Sequence, residues 1–327
     1  MGGNALKELG FKRIGLEEFN SVKSYVLEKL PAFCEKSDVP KHIEDKSDFG
    51  DLDVLGILKP NTNPREKIVE IFNPTLIKQN GNIYSFDVKN LQIDLILTTE
   101  KNWDCYFNFL GFGDCSMILG RIARLYSLKY GIYGLELPVR NVVDNHVIAT
   151  IPVSKNTKKI YEFFGYDFSK WEKGFKTNEE LRDFIFSSPR ITRGFLNKDS
   201  ENCTHRKRDR KRTAYKEIYE WFQENKDRFP APQPEKPFLE QLNEVDAYFP
   251  ESGVKGKYEL VIEEIKKTEL AREKFSGDYI SNLLGIKGKE LGLVIEAWSK
   301  KFKNKQEKID YVLKTDILIL EKEVKNL

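Results

Sequence analysis

Two aspartates separated by a single residue open an apolar run in the first third of the chain. Asp51 and Asp53 stand in the segment Gly50-Asp51-Leu52-Asp53-Val54-Leu55, a pattern that predicts a buried β-strand. Because side chains alternate along a strand, both carboxylates lie on one face. Ionised groups side by side on a buried sheet repel each other and lose their hydration, and a cation between them offsets both costs. Carboxylate oxygens favour Mg²⁺ or Mn²⁺ as that cation.

A third aspartate, Asp94, interrupts the apolar run Leu91-Gln92-Ile93-Asp94-Leu95-Ile96-Leu97. If that strand lies beside the first, the three carboxylates would hold two metal ions about 3.5–4 Å apart, as in enzymes that displace groups at phosphorus. The alternative is structural: Asp51 caps a turn, Asp53 forms a surface salt bridge and Asp94 pairs with a lysine. We favour the metal site because Asp94 and an upstream glycine pair, Gly2-Gly3, accompany the Asp-x-Asp motif.

The elements that must position these residues follow an α+β pattern. Helical spacing is predicted from Leu16 to Leu30, and strands that form a small mixed sheet are predicted at Asp51–Leu58, Ile83–Val88 and Leu91–Thr98. Further along we predict a helix over Cys115–Tyr130, a strand over Val147–Val153, and helices over Lys158–Phe164 and Asn178–Phe186. The proline-rich stretch Phe229–Pro237 predicts a semi-rigid connector, and the pattern beyond it is helical to Leu327.

Composition excludes several classes of protein. A content of 40% hydrophobic and 32% charged residues is typical of a globular protein, and the net charge of +3 is too small to indicate nucleic-acid binding by itself. Cysteines 34, 105, 115 and 203 form no CxxC pair, and we expect reduced thiols. No apolar run approaches the roughly 20 residues of a membrane span, so we expect a cytoplasmic protein without a membrane partner. Neither a P-loop nor a serine or cysteine nucleophile paired with histidine is recognisable.

The glycine pair, the Asp-x-Asp strand and the later aspartate together resemble the DNA polymerase β nucleotidyltransferase superfamily. The interval between Gly3 and Asp51 is longer than in most branches of that family. The segments Phe112–Arg124 and Gly174–Thr177 resemble phage and large-virus nucleotidyltransferases. The stretch Phe275–Gly292 is similar to the C-terminal segment of bacterial tRNA nucleotidyltransferases and poly(A) polymerases.

The resemblance implies a polymerase β-like palm as the nucleotidyltransferase domain over residues 1–140, a mostly helical middle domain over 141–230 and a helical, RNA-binding domain over 231–327. It implies template-independent addition of a nucleoside monophosphate, from ATP or CTP, to the 3′ end of an RNA such as a tRNA. Two Mg²⁺ or Mn²⁺ ions would bind Asp51, Asp53 and Asp94. Gly2 and Gly3 would contact the triphosphate. The phage and virus resemblance implies action in the cytoplasm of a host cell.

Two groups of basic residues are candidates for further substrate contacts. Arg121 and Arg124 lie about one helical turn apart after the third carboxylate, where they would reach the nucleotide or primer, or pair with acidic neighbours. Six basic residues fall within eight positions and would track a nucleic-acid backbone, or form a solvated helix face: Arg206, Lys207, Arg208, Arg210, Lys211 and Arg212.

Two rival functions stay open at this point. The first keeps the chemistry but transfers the nucleotide to a protein, a DNA or a small molecule. The second is an inactive module of the same fold that only binds RNA. Function depends on the site and its acceptor groove, so fold analogy does not choose among them.

Overall fold

The computed structural model describes residues 5–113, 115–141, 145–197 and 213–327. The chain forms two compact units, Met1–Val254 and Lys255–Leu327. The α+β class predicted from sequence is confirmed at this level, since a small mixed sheet occurs with many helices. The division into three domains ending near residues 140 and 230 stays a prediction.

The first unit begins with alternating helices and strands. They are β1 (Ile14–Gly15), α1 (Leu16–Lys29), β2 (Cys34–Asp38), β3 (Asp48–Phe49), β4 (Asp51–Leu58), α2 (Pro64–Phe72), β5 (Ile77–Asn80), β6 (Ile83–Val88), β7 (Leu91–Leu97), α3 (Trp103–Leu110) and α4 (Cys115–Arg124). The predicted first helix and the three predicted strands are confirmed to within a residue. The short strands β1 and β3, the strands β2 and β5, and the helices α2 and α3 were not predicted.

Five strands form the mixed sheet in the order β2-β4-β7-β6-β5. The central pair, β4 and β7, is parallel, whereas every other pair is antiparallel. One face packs on α1 and α2, and its core includes Leu52 and Val54 of β4 with Phe19 of α1. On the opposite face, Leu55 and Ile96 pack on α3. The alternation along β4 therefore points Asp51 and Asp53 away from the main core.

The predicted helix over Cys115–Tyr130 is wrong in its last third. Helix α4 ends at Arg124, and Ser127 then adopts a left-handed backbone with φ of 57°. Residues after that turn form β8 (Lys129–Gly131) instead, which pairs with β9 (Gly134–Arg140). The apolar side chains of Leu128 and Tyr130 are buried by this turn and strand rather than by a helical face.

The rest of the first unit is mostly helical. It contains β10 (Val147–Ser154), α5 (Thr157–Phe163), α6 (Phe168–Lys173), α7 (Asn178–Ile185), α8 (Thr213–Asn225) and α9 (Phe238–Tyr248). The predicted strand and the two predicted helices are confirmed here. Residues 230–237 have no regular secondary structure, as their prolines predict.

The second unit is a helical bundle with its own core. Its helices are α10 (Val254–Lys274), α11 (Gly277–Leu284), α12 (Gly288–Ser299), α13 (Lys305–Lys314) and α14 (Ile317–Lys325). The core is built around Trp298, with Phe275, Ile280 and Leu320 packed nearby. The helical pattern predicted beyond the prolines is confirmed. Among the described residues, no helix combines the length and the apolar character that crossing a membrane requires.

Candidate active site

The parallel pairing of β4 and β7 brings three carboxylates together. Asp53 lies directly opposite Asp94 in the register, and Asp51 lies opposite Gln92. One oxygen from each of Asp51, Asp53 and Asp94 falls within 4.8 Å of the others. The three aspartates predicted from sequence therefore form one cluster with the donor set of a hard divalent cation.

The cluster belongs to a polar patch on one face of the sheet. Strand pairing aligns Lys78, Ser85, Asp94 and Asp53 across β5, β6, β7 and β4. The next row, toward the start of β4, contains Gln92 between Asp51 and the β6 residue Asp87. The same face is apolar further along the strands, where α3 covers it. The carboxylate cluster thus lies at the end of the face at which β4 begins.

Neighbouring side chains fix the orientation of Asp94, which is only 1% exposed. The Gln92 amide nitrogen donates to both carboxylate oxygens, at 2.9 and 3.1 Å. The Ser85 hydroxyl donates a further hydrogen bond. Burial raises the pKa of Asp94, and the Ser85 and Gln92 hydrogen bonds oppose that rise. These hydrogen bonds fix the orientation of the buried Asp94 carboxylate.

Burial and neighbouring negative charges have a large effect on the pKa of Asp53. Loss of hydration, followed by repulsion from Asp51, raises the pKa of Asp53 to about 7. The three groups thus destabilise one another when all are ionised. Paired acidic groups with such shifts are typical of functional sites.

Two cations border the cluster. The Arg13 guanidinium lies so close to Gly50 that a Cβ there would come within 2.9 Å of its Nη1 atom. It also forms an ion pair with Asp48 through Nε and donates from Nη2 to the Asp48 carbonyl at 3.1 Å. Lys46 lies over the Phe49 ring at 4.6 Å. Burial lowers the pKa of Lys46, and the charge of Asp51 opposes that effect.

The loop before β3 also contacts two segments that carried the sequence resemblance. The Phe112 amide donates to the Lys41 carbonyl at 2.7 Å. The Glu44 amide donates to the Phe175 carbonyl at 3.2 Å, and the Phe112 and Phe175 rings meet edge to face at 4.9 Å. The segments Phe112–Arg124 and Gly174–Thr177 are therefore held beside the loop that leads to the carboxylates.

The structure places the other predicted residues as follows. Arg121 is 7% exposed and donates from Nη2 to the Tyr215 hydroxyl at 2.8 Å. Arg124 is exposed at the end of α4. Gly2, Gly3 and the basic residues Arg206, Lys207, Arg208, Arg210, Lys211 and Arg212 lie outside the described residues. Nucleotide contacts by the arginines of α4 and by the glycines, and nucleic-acid contacts by the basic run, stay predictions.

Sequence reasoning missed Gln92, Ser85, Arg13 and Lys46. One signal for Gln92 was available, because it is a polar residue in an apolar strand two positions before Asp94 and shares its face. The other three reach the cluster through strand pairing and loop packing, which no local pattern reveals.

No family model matches the chain, and no curated protein matches it.

Proposed function

We propose that this chain is a metal-dependent nucleotidyltransferase with a polymerase β-like palm. It transfers a nucleoside monophosphate from ATP or CTP to the 3′ hydroxyl of an RNA such as a tRNA. The observation that carries the proposal is the convergence of Asp51, Asp53 and Asp94 from two parallel strands, with ligand oxygens within 4.8 Å of one another. Two-metal transfer at phosphorus requires such a set of carboxylates.

The side chains have distinct roles in this proposal. Asp51, Asp53 and Asp94 would hold two Mg²⁺ or Mn²⁺ ions, with Asp94 on the side of the attacking hydroxyl. Bound metal supplies Lewis-acid charge for the hydroxyl and the triphosphate. Ser85 and Gln92 hold the Asp94 carboxylate by their hydrogen bonds, so that it needs little reorganisation when it acts.

The transfer itself is a displacement at the α-phosphorus. The 3′ oxygen of the acceptor forms a bond to that atom, and the bond from the α-phosphorus to the bridging oxygen breaks. Pyrophosphate leaves with the electron pair of the broken bond. The hydroxyl proton passes to a carboxylate oxygen of Asp94 and then to solvent.

Arg13 and Lys46 are the proposed contacts for the β- and γ-phosphates. They are cations at the edge of an acidic cluster, where a triphosphate bound to the same metals would carry its remaining negative charge. The Arg13 side chain is 57% exposed, so it is accessible to a ligand. Its present partner, Asp48, holds the guanidinium next to Gly50.

The experiment is to incubate purified protein with Mg²⁺, one α-labelled nucleoside triphosphate at a time, and one acceptor. The acceptors are tRNA lacking its 3′ end, generic RNA, single-stranded DNA and bulk protein. We expect label in RNA together with release of pyrophosphate. Label in DNA or protein instead of RNA would favour the rival in which the acceptor is not an RNA. No label in any acceptor, together with measurable binding of RNA, would favour the rival in which the protein only binds RNA.

Matched substitutions test the site. Asp51→Asn combined with Asp53→Asn should abolish incorporation, because the metal loses two of its ligands. Asp104→Asn alters an exposed carboxylate in the first turn of α3 and should leave incorporation unchanged. Incorporation that persists in the double variant would refute the assignment of the carboxylates.

A further inference from the structure

Gln92 forms a buried bridge between Asp94 and the N-terminal segment of the described chain. Its amide nitrogen donates to both Asp94 oxygens, and its amide oxygen accepts from the Leu6 backbone N–H at 3.0 Å. Gln92 is 3% exposed, Asp94 1% and Leu6 2%. The bridge therefore lies away from water, where an unmade hydrogen bond is most costly.

Residues 5–9 contact the same sheet at a second point. The Lys78 side chain, on β5, donates to the Ala5 carbonyl at 2.9 Å and forms an ion pair with Glu8. The Leu6 side chain is buried, and a short 3-10 helix over Lys7–Leu9 follows it. The segment thus spans from the outer strand β5 to the central strand β7, next to the carboxylate cluster.

We propose that Gln92 is a positioning residue that couples docking of residues 5–9 to metal binding at Asp94. This inference rests on the proposed function in one respect, because it takes Asp94 to be a metal ligand. A fixed Asp94 favours the Gln92 rotamer that accepts from Leu6, and a docked Leu6 favours the rotamer that orients Asp94. Coupling through a shared group is reciprocal, so each event strengthens the other.

The orientation of the amide explains why glutamine serves this role. Its nitrogen faces a carboxylate, which accepts only, and its oxygen faces a backbone N–H, which donates only. Methionine has a similar length and volume but offers neither a strong donor nor a strong acceptor. Gln92→Met therefore removes both halves of the bridge while filling the same space.

The test uses full-length protein and Mn²⁺ alone. Calorimetry measures Mn²⁺ affinity, and hydrogen exchange measures protection of the backbone amides of residues 5–9 with and without Mn²⁺. We expect Mn²⁺ to slow exchange at Leu6 in the wild type. In Gln92→Met we expect about tenfold weaker Mn²⁺ binding. We also expect faster hydrogen exchange in residues 5–9, and Mn²⁺ should no longer slow it.

Gln241→Met is the matched control. Gln241 is 2% exposed, accepts from Ser127 at 2.9 Å and donates to the Lys236 carbonyl at 2.8 Å, away from the carboxylates. This variant loses a comparable buried bridge, yet it should keep the wild-type Mn²⁺ affinity and the exchange response. An equal loss of Mn²⁺ affinity in both glutamine variants would show that Gln92 has only a structural role, and would overturn the proposal.

A second substitution weakens the bridge at Leu6 rather than at Gln92. Leu6→Ala weakens docking of the segment and leaves Gln92 and Asp94 intact, so it should lower Mn²⁺ affinity about fivefold. Leu242→Ala, at an equally buried leucine, should not. Wild-type protein that binds Mn²⁺ without any change in residues 5–9 would overturn the coupling. Intact coupling without nucleotidyl transfer would overturn only the proposed function, and no Mn²⁺ binding would overturn both.

Discussion

Asp53 and Asp94 are direct partners in the register of the two parallel strands β4 and β7. Strand pairing in a rigid sheet fixes their separation, so their charges do not relax apart by a small movement of either chain. With Asp51 on the same face, three carboxylates share one end of the sheet. Their mutual repulsion and the groups around them determine how the protein responds to pH, metal and substitution.

Neutralising Asp53 should stabilise the protein in the presence of a chelator. Asp53→Asn removes the most strongly perturbed charge, and we expect the thermal midpoint at pH 7.5 to rise by roughly 2–4 °C, which corresponds to about 1 kcal/mol. The same variant should lose any stabilisation by Mg²⁺. Thermal unfolding monitored by circular dichroism, with Asp104→Asn as the control, provides the measurement. A lower midpoint in chelator would contradict the repulsion argument.

The contribution of Asp53 to the stability of the chelator-treated protein should decrease as the pH rises from about 4 to about 7. The pKa of Asp53 is raised from 3.8 to about 7 in the folded state, so the folded protein binds more protons than the unfolded chain within this window. The stabilising contribution is complete below the unfolded value and is lost as the pH rises through the folded value. The raised pKa of Asp94 acts in the same direction.

Urea unfolding at several pH values measures this effect. The Asp53→Asn variant should show a shallower decrease over the same window, and saturating Mg²⁺ should reduce the decrease in the wild type, because the metal binds the ionised form. Equal slopes in wild type and variant would show that Asp53 does not titrate as described.

Removing the cations at the edge of the cluster should weaken nucleotide binding more than turnover. We expect Arg13→Ala and Lys46→Ala each to raise the KM for the nucleoside triphosphate by about three- to tenfold, with a smaller change in kcat. Steady-state kinetics with Lys12→Ala as control provides the measurement, since Lys12 is exposed and adjacent to Arg13 in sequence. A change in kcat alone would argue against phosphate contact.

The start of β9, which lies against the end of β10, should tolerate no side chain at Gly134. That residue has φ of +92°, and a Cβ would lie 2.3 Å from the Ser154 carbonyl oxygen. We expect Gly134→Ala to lower the free energy of unfolding by about 3 kcal/mol or more. Gly81→Ala, at φ of +59° with nothing within 4 Å, should cost only about 1 kcal/mol. Urea unfolding of both variants compares them, and equal losses would contradict the steric argument.

The strands that carry the carboxylates could be predicted because their sequence pattern is local and strong. Asp51 and Asp53 open one apolar run and Asp94 interrupts another, and charged residues at such positions are costly enough to indicate a function. The proximity of the three carboxylates was inferred from the chemistry of metal binding, because no sequence pattern shows which strands pair. The register of β4 and β7 confirmed it.

The features that were missed depend on tertiary contacts. The turn at Ser127 requires a left-handed residue that the sequence does not signal, since no glycine or asparagine stands there. Arg13 reaches the cluster only because β1 pairs with β3, through two residues in each strand. Gln92 meets Leu6 across 86 positions of sequence. Short pairings and distant hydrogen bonds of this kind leave no periodicity to recognise.

The most direct measurement of the central claim is anomalous diffraction from crystals soaked with Mn²⁺ and a non-hydrolysable nucleoside triphosphate. We expect two manganese peaks, about 3.5–4 Å apart, bound by Asp51, Asp53 and Asp94 and by oxygens of the triphosphate. The triphosphate should extend toward Arg13 and Lys46. Manganese and nucleotide bound elsewhere, or no peak among these carboxylates at saturating Mn²⁺, would show that Asp51, Asp53 and Asp94 are not the metal site.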